Sequence, residues 1–499
     1  MTRPLALLPD TARPGRVLLR SCLTLVWLLV CSSIAAQAAA LDPEGAPITT
    51  PYNVDLTQGV ALSTSRVVGL GGAATALAEG VEGGISNPAS VAARSVGSVD
   101  FWDYWLAFGL TYPFQNGDFY NSGGETSQGS EKENNFLFLN TGAYLQVFGL
   151  GVGLNLEILQ MGASRKMAAE DSVDRSVRLQ LVTTHVQVGQ LFFDGQLALA
   201  GGLQLLRERA SATVAGMDPQ RSNVSTGYGG ELGMLIRPNG KQWRIGAGLY
   251  SVVKSPYEAD AKPDETFVEP EYAVRPWRGN VGFAYQFGKR PLNPRFTYVE
   301  EHARKPLHEL DVRVARARLE HQRALDQLRH GGSGNSDLQR TAEREYKDQM
   351  QVLEAERAAV RKRAWRELRS GMRTGWSRRY VLLATEISFA GRVHNGVGVE
   401  SFLAQTVQRS GERISVTPRL GVESEVWPTH VRMRAGSYVE ATRFEETHAR
   451  PHGTFGVDVR LLNWDVFRIW PEDYLWQLSA ALDVSSEYTS LSVGFNGWY

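Results

Sequence analysis

The sequence predicts an all-β transmembrane barrel of 14 antiparallel strands, with an N-terminal hatch in its lumen and an inserted periplasmic α-helical hairpin. Three observations predict it. From about residue 97 onward, long tracts alternate apolar residues with small or polar ones, the period of a strand. The chain also finishes on such a tract, with Leu491, Val493, Phe495, Gly497 and Tyr499 on one face. Ahead of the first tract stands a nearly uncharged, Gly- and Ala-rich stretch, Ser65 to Ala93. Its glycines make it a poor helix or strand in water, and its small side chains suit a segment packed inside something else.

Composition narrows the classes. Of 499 residues, 53 are basic and 53 acidic, so the balanced charge gives no case for a nucleic-acid partner. Both cysteines, Cys22 and Cys31, fall in the leader region, so its removal leaves no disulfide framework, thiolate metal site or cysteine nucleophile. Residues 1–40 read as a secretory signal: Arg3, Arg13, Arg16 and Arg20, then the apolar run Ser21 to Ala36, then small-x-small sites at Ala36-Gln37-Ala38 and Ala38-Ala39-Ala40. That run is shorter than the roughly 20 residues a spanning helix needs. No other long apolar run exists, so membrane residence must use strands.

Residues 41–96 are read as a polar linker and the hatch, 97–288 as strands one to eight, 289–378 as a charged insertion, and 379–499 as strands nine to fourteen. In Gly151 to Ile158, Val152, Leu154, Leu156 and Ile158 share one face, and Gly151, Gly153, Asn155 and Glu157 the other. Gln196 to Leu205, Trp277 to Phe287 and Gly453 to Leu461 repeat the pattern. A soluble sandwich alternates too. Here, however, the polar face is often Gly, Ser, Asn or Gln, as a lumen would be. Aromatics such as Trp102, Trp105, Tyr112, Tyr250, Trp277, Trp427, Trp464, Trp470, Tyr474 and Trp476 sit near strand ends, as interfacial girdles do.

The predicted strands are 97–112, 135–147, 150–162, 175–191, 195–208, 223–237, 242–254, 276–288, 379–391, 413–427, 430–443, 452–464, 474–485 and 488–499. The even count keeps both termini on one side, so 394–407 is assigned to an external loop despite its strand-like pattern. Tight turns at Phe148-Gly149, Phe193-Asp194, Pro238-Asn239-Gly240 and Pro428-Thr429 then fall on the periplasmic side, and the longer loops fall outside.

The insertion carries a heptad-like stripe through Leu310, Val314, Ala317, His321, Ala324 and Leu328, and a second through Ala342, Tyr346, Gln349, Leu353, Val360, Ala364 and Leu368. Gly331 to Gly334 separates them, and Ser336 with Gln339 has the spacing of a capping box. At 1.5 Å per residue the second arm, about 33 residues, extends on the order of 50 Å. Its basic run, Arg357, Arg361, Lys362, Arg363, Arg366, Arg369 and Arg373, suits anionic lipid heads or an acidic partner. His302, His308, His321 and His330 lack the spacing of a metal site, and no metal or cofactor is expected. An enzyme is not expected either: there is no GxSxG motif, and no partner can be argued for His185, the histidine placed on a strand.

The hatch sequence SRVVGLGGAATALAEGVEGGISNPAS, with Asn87-Pro88-Ala89, and the segment Pro418 to Phe444, with its RLG and RAG patterns, resemble the FadL-like outer-membrane transport family. The likeness extends over Ser63–Gly288 and Tyr380–Tyr499. It implies a 14-stranded barrel with a lumenal hatch, in the outer membrane of a Gram-negative bacterium. It also implies transport of long-chain fatty acids or similar lipids and hydrocarbons. Ser90 replaces the glycine usual after that motif, the loop 209–222 is short, and the helical insertion is foreign to the family pattern. The alternative function is an assembly or secretion component that uses the hairpin as a docking arm.

The candidate site residues follow from this. Asn87, Pro88 and Ala89 form the hatch turn, and Gly69, Gly71, Gly72, Gly83 and Gly84 let the hatch pack or shift. Arg419, Glu423, Arg432, Arg434, Asp458 and Arg460 form an inward ladder of charge, open to pairing with the hatch or with a ligand carboxylate. Expected partners are a hydrophobic, fatty acid-like ligand, outer-membrane lipid, the barrel assembly machinery and a periplasmic protein at the hairpin.

Overall fold

The structure is a computed structural model. It describes residues 44–499 except 95–97, 100, 117, 123–136, 166–174, 215–220, 258–267, 331–335, 376, 400, 402–404, 446, 464–474 and 498–499. The expected signal segment, Trp464, Trp470, Tyr474 and Tyr499 lie outside the described residues.

Eighteen strands are numbered in chain order. Four are short: β1 (Asn53–Asp55), β9 (Val253–Pro256), β10 (Tyr272–Arg275) and β13 (Gly396–Val397). The others are β2 (Trp102–Asn116), β3 (Leu137–Val147), β4 (Leu150–Arg165), β5 (Arg175–Phe192), β6 (Leu197–Val214), β7 (Arg221–Ile236), β8 (Trp243–Tyr250) and β11 (Arg278–Gly288), followed by β12 (Tyr380–Ala390), β14 (Ser415–Trp427), β15 (Val431–Glu440), β16 (Arg450–Asn463), β17 (Leu475–Ser485) and β18 (Tyr488–Gly497). These last fourteen close into a barrel in chain order, with β18 pairing β2 and β11 pairing β12 across the insertion. They correspond one to one with the predicted strands. The ends shift: β2 starts at Trp102 rather than residue 97, and β8 stops at Tyr250. Beyond Tyr250 the chain turns inward, and β9 lies against β7, where Gly227 and Gly229 leave room for Val253. The β7–β8 ladder accordingly spans only Glu231 to Ile236 of β7.

Alternation sorts the two faces. On β4, Val152 and Leu154 are exposed while Asn155 and Glu157 are buried. On β16, Phe455 and Val459 are exposed while Asp458 is buried. An apolar exterior on a closed sheet satisfies every backbone group internally and suits lipid. The chain is therefore an outer-membrane β-barrel of the Gram-negative type. No helix among the described residues is long and apolar enough to cross a membrane. Trp102, Tyr112, Trp277 and Trp427 are exposed, as girdle positions require, but Trp476 is buried, and Trp105 and Tyr250 are not girdle residues either. These last two are buried and reach the hatch: Trp105 packs over Gly80 and the Tyr250 hydroxyl donates to Ile85 O at 2.6 Å.

At one end, β3–β4, β5–β6, β7–β8 and β14–β15 are joined by tight turns, with positive φ at Phe148, Phe193, Asp194, Gly240 and Thr429, and the insertion joins β11 to β12 at the same end. The other end carries the long loops, except for the tight β17–β18 turn with Glu487 at φ 59°. Here the linker reading needs correction. Residues 44–63 pass through the long-loop end, where β1 pairs in parallel with β10 and β13, giving a small sheet β13-β1-β10-β9. The described chain thus starts on the outer side and descends through the lumen to β2. Within the external segment 394–407, β13 belongs to this sheet and not to the barrel wall.

The insertion forms α3 (Val299–His302), α4 (Arg304–His330) and α5 (Ser336–Gly375), a helical hairpin. Leu310, Ala317 and Leu353 bury one another, and His321 stacks on Tyr346 with centroids 4.2 Å apart. Arg313 pairs with Glu356 and Arg357 with Asp311 across the arms. At the base, Val299, Leu307 and Ala364 enclose Val99, which lies between the hatch and β2.

Candidate functional site: the hatch and the lumen around it

The wall makes room for the hatch by omitting side chains. A Cβ on Gly151 of β4 would strike Val91 O, and one on Gly246 of β8 would strike Thr75 O. Gly421, Gly436 and Gly456, on β14, β15 and β16, would strike Leu70, Gly71 and Gly69 in turn. Strands from around the barrel therefore close on one segment, residues 65–94, which contains α1 (Ser65–Gly69), α2 (Gly80–Gly83) and a 3-10 turn, Pro88–Val91. Its residues are buried throughout, save Arg66 at the intermediate level.

Each predicted hatch glycine can be placed. Gly69 lies against Gly456, Gly83 against Ala78, and Gly84 against the Tyr144 ring and Asn155. Gly71 and Gly72 have φ of 63° and 80°, a conformation open to glycine, and the turn they make carries the chain back from β15. Asn87 caps the 3-10 turn: its Oδ1 accepts from Ala89 N at 3.0 Å, and Pro88 occupies the first position, where no N–H is needed. Its Nδ2 donates to Thr75 O at 3.0 Å within the hatch and to Met234 O at 2.9 Å on β7. Ala89 is fully buried against Gly233, Ala198 and Leu235.

Polar wall side chains satisfy the irregular hatch backbone. Gln146 donates to Val91 O at 2.8 Å, Gln187 to Gly84 O at 3.0 Å, and Thr454 to Gly69 O at 3.2 Å. The Glu386 carboxylate accepts from Ala74 N at 3.0 Å and Thr75 N at 2.9 Å. These bonds explain the Gln, Asn, Thr and Gly on the lumen face: a non-helical segment in a membrane protein must find its hydrogen bonds in the protein around it.

Four of the six predicted lumen charges come together. Arg434 Nε donates to Glu423 at 2.7 Å and its Nη1 to Asp458 at 2.6 Å, while Arg432 lies 3.7 Å from Asp458 and 3.9 Å from Glu423. From the hatch, Arg66 reaches Glu423 at 3.4 Å and Glu82 at 3.6 Å. Burial pushes the Glu82 carboxyl up against the pull of Arg66. Arg419 stands apart, donating to Gly71 O at 3.2 Å and lying over the Tyr438 ring. Arg460, half-buried near the tight-turn end, joins neither group.

The reading of His185 as partnerless is corrected. Its Nδ1 lies 2.8 Å from Glu231 on β7, two strands away, and its Nε2 3.5 Å from Glu157 on the adjacent β4. A second buried histidine, His452 on β16, lies 2.8 Å from Asp483 and 3.0 Å from Glu440. Each ring is thus held between two carboxylates. Among the described residues no group of His, Cys, Asp or Glu could hold a metal ion.

Above the hatch, the lumen turns apolar. Phe138, Leu159, Leu179, Leu181, Leu206 and Ala210 face inward from the outer halves of β3 to β6 and pack against Tyr52, Val54, Leu56 and Val253. The Tyr120 hydroxyl contacts Met161 Sδ at 3.2 Å. Tyr257 closes the edge by donating to Glu208, and burial with that carboxylate alongside holds its hydroxyl above the usual range. Beside this lining is a cavity of about 160 Å³, bounded by Val60, Ile85, Tyr120 and Phe138 on one side and Glu157, Arg275 and Arg278 on the other. The sequence carried a signal for this lining. In Glu157 to Met161 and at Leu205-Leu206, apolar residues fall on both phases of the strand, so the lumen face there is apolar as well.

No protein family matches the sequence, and no curated protein does. Among solved structures, the chain is similar to the CymD monoaromatic hydrocarbon channel, with 9% identity over 88% of this chain and 97% of that one and a TM-score of 0.44. It is also similar to the Pseudomonas putida toluene transporter TodX, with 10% identity, coverages of 90% and 98% and a TM-score of 0.42. A Pseudomonas aeruginosa FadL homologue gives 10%, 91%, 99% and 0.44.

Proposed function

We propose that this barrel carries hydrophobic small molecules, long-chain fatty acids or similar lipids and hydrocarbons, across the outer membrane past a lumenal hatch. The observation that carries the reading is the apolar lining of Phe138, Leu159, Leu179, Leu181 and Leu206. A water-filled pore has no use for it. Apolar cargo loses about 25 cal/mol for each Å² returned to water, so it needs a continuous apolar route. The hatch keeps that route closed to polar solutes, and its glycines allow small backbone shifts. Arg275 and Arg278, beside the cavity, suit a cargo with an acidic head.

The terminal strand supports recognition by the barrel assembly machinery, and the exposed arms of the hairpin offer a periplasmic protein a surface. Direct binding tests the reading. Purified protein titrated with oleate is expected to bind it, and Leu181→Glu is expected to weaken binding roughly 10- to 100-fold, since a charge then lies in the apolar lining. Equal binding by both proteins would place the ligand elsewhere.

A further inference from the structure

The segment between β11 and the helical hairpin, residues 289–299, is neither strand nor solvent-exposed linker. It runs under the hatch at the tight-turn end of the barrel. Arg290 lies 3.2 Å from Glu425 of β14, and its carbonyl accepts from Gln286 at 2.7 Å. Leu292 is buried with Leu70, Ala73 and Leu77 of the hatch. Asn293 is fully buried: its Nδ2 donates to Lys241 O and Trp243 O, both at 2.9 Å, and its carbonyl accepts from Gly240 N at 2.7 Å. The segment then passes the β5–β6 turn, where Phe296 lies over Arg237 and against Gly195. At the β3–β4 turn the Tyr298 hydroxyl donates to Phe148 O at 3.0 Å. It ends where Val299 N donates to Val99 O at 3.1 Å.

We infer that residues 289–299 are an inner gate across the periplasmic mouth, and that the helical hairpin is the arm that holds it. Wall arginines join the gate to the hatch. Arg244 of β8 gives Nη1 to Glu79 of the hatch at 2.7 Å, and gives Nη2 to Leu292 O at 2.6 Å and Nε to Asn293 Oδ1 at 2.7 Å in the gate. Between the two is a cavity of about 70 Å³ lined by Glu79, Glu82, Arg290 and Leu292. Ligand pockets have roughly 300–1,000 Å³, so nothing the size of a lipid waits there. Cargo that clears the hatch leaves only when the gate moves. The gate continues into α3, whose Val299 packs with Leu307 and Ala364 at the hairpin base. A displacement of the hairpin is therefore a displacement of the gate.

The inference deepens the transport reading, but the first measurement does not depend on it. In the full-length protein with Cys22 and Cys31 replaced by serine, Leu292→Cys is expected to resist a membrane-impermeant maleimide, while Leu338→Cys on the exposed hairpin reacts at once. Adding Asn293→Ala, which deletes the buried side-chain bonds of the gate, is expected to speed labelling at 292 roughly tenfold. Equal labelling at 292 and 338 in the unaltered gate overturns the inference. A second variant, Val99→Cys with Val299→Cys, locks the gate end by a disulfide. Oxidation is expected to stop oleate uptake, and reduction to restore it, which also shows that the variant folds. Uptake unaffected by oxidation overturns the inference as well. If no form takes up oleate, the transport reading fails and the labelling result alone decides the gate.

Discussion

At the residue scale, the hatch is held by a few polar side chains with several partners each. Asn87 makes bonds to Ala89 N, Thr75 O and Met234 O in a fully buried site. Asn87→Ala is expected to cost about 1–3 kcal/mol by leaving those groups unpaired, read as a lower midpoint in denaturant unfolding of the folded barrel. The two acids that meet Arg66 differ. Glu423 meets Arg66 and Arg434 directly, so Glu423→Gln leaves buried cations short of charge and is expected to cost about 3 kcal/mol. Glu82 is held above the ordinary carboxylate value by burial. Such a group favours the folded state below its unfolded value, and that contribution disappears as pH rises through the folded value. Glu82→Gln removes a charge that burial already disfavours, so it is expected to cost less at neutral pH than Glu423→Gln and to flatten the pH profile above the carboxylate range. A large loss at neutral pH would contradict that ordering. The Asn87-Pro88-Ala89 turn was legible in the sequence because its capping bond is local. The partners of His185 were not, because Glu157 and Glu231 reach it through barrel register alone.

At the element scale, the fourteen wall strands were legible because each repeats its two-residue period between lipid and lumen for many residues. The small outer sheet was not. β1 and β13 are three and two residues long, and their pairing follows from packing in the barrel mouth rather than from any pattern of their own. The inner gate was hidden for the same reason: its segment has no period, and its hydrogen bonds come from distant turns and wall side chains such as Arg244 and Gln286. The lumenal glycines were visible as a composition bias, but their purpose is steric. Gly436→Leu would drive a side chain into Gly71 and Leu70. It is expected to displace the hatch and raise single-channel conductance while the barrel still migrates as a folded species. The hairpin stripes were readable as heptads. Leu310→Ala with Leu353→Ala is expected to lower hairpin stability by about 4–8 kcal/mol, read as loss of helical circular dichroism at temperatures where the barrel persists.

At the scale of the whole molecule, the chain stacks three obstructions along one axis: an outer sheet with an apolar lining beneath it, a hatch, and a gate joined to a helical arm. The hatch lies in a glycine-lined lumen and the apolar lining stands on its outer side, the order on which the proposed transport of apolar cargo rests. The even strand count, the apolar exterior and the nearly uncharged N-terminal segment were enough to predict the barrel. The apolar lining was overlooked because it required reading the second phase of β4 to β6. The most direct test is uptake of radiolabelled oleate by cells that lack their own transporter, expressing the intact protein, Leu181→Glu or no barrel. The intact protein is predicted to raise the uptake rate well above the empty strain, and Leu181→Glu, at equal abundance in the outer membrane, is predicted to fall back to the empty strain. Uptake equal in all three strains would contradict the account.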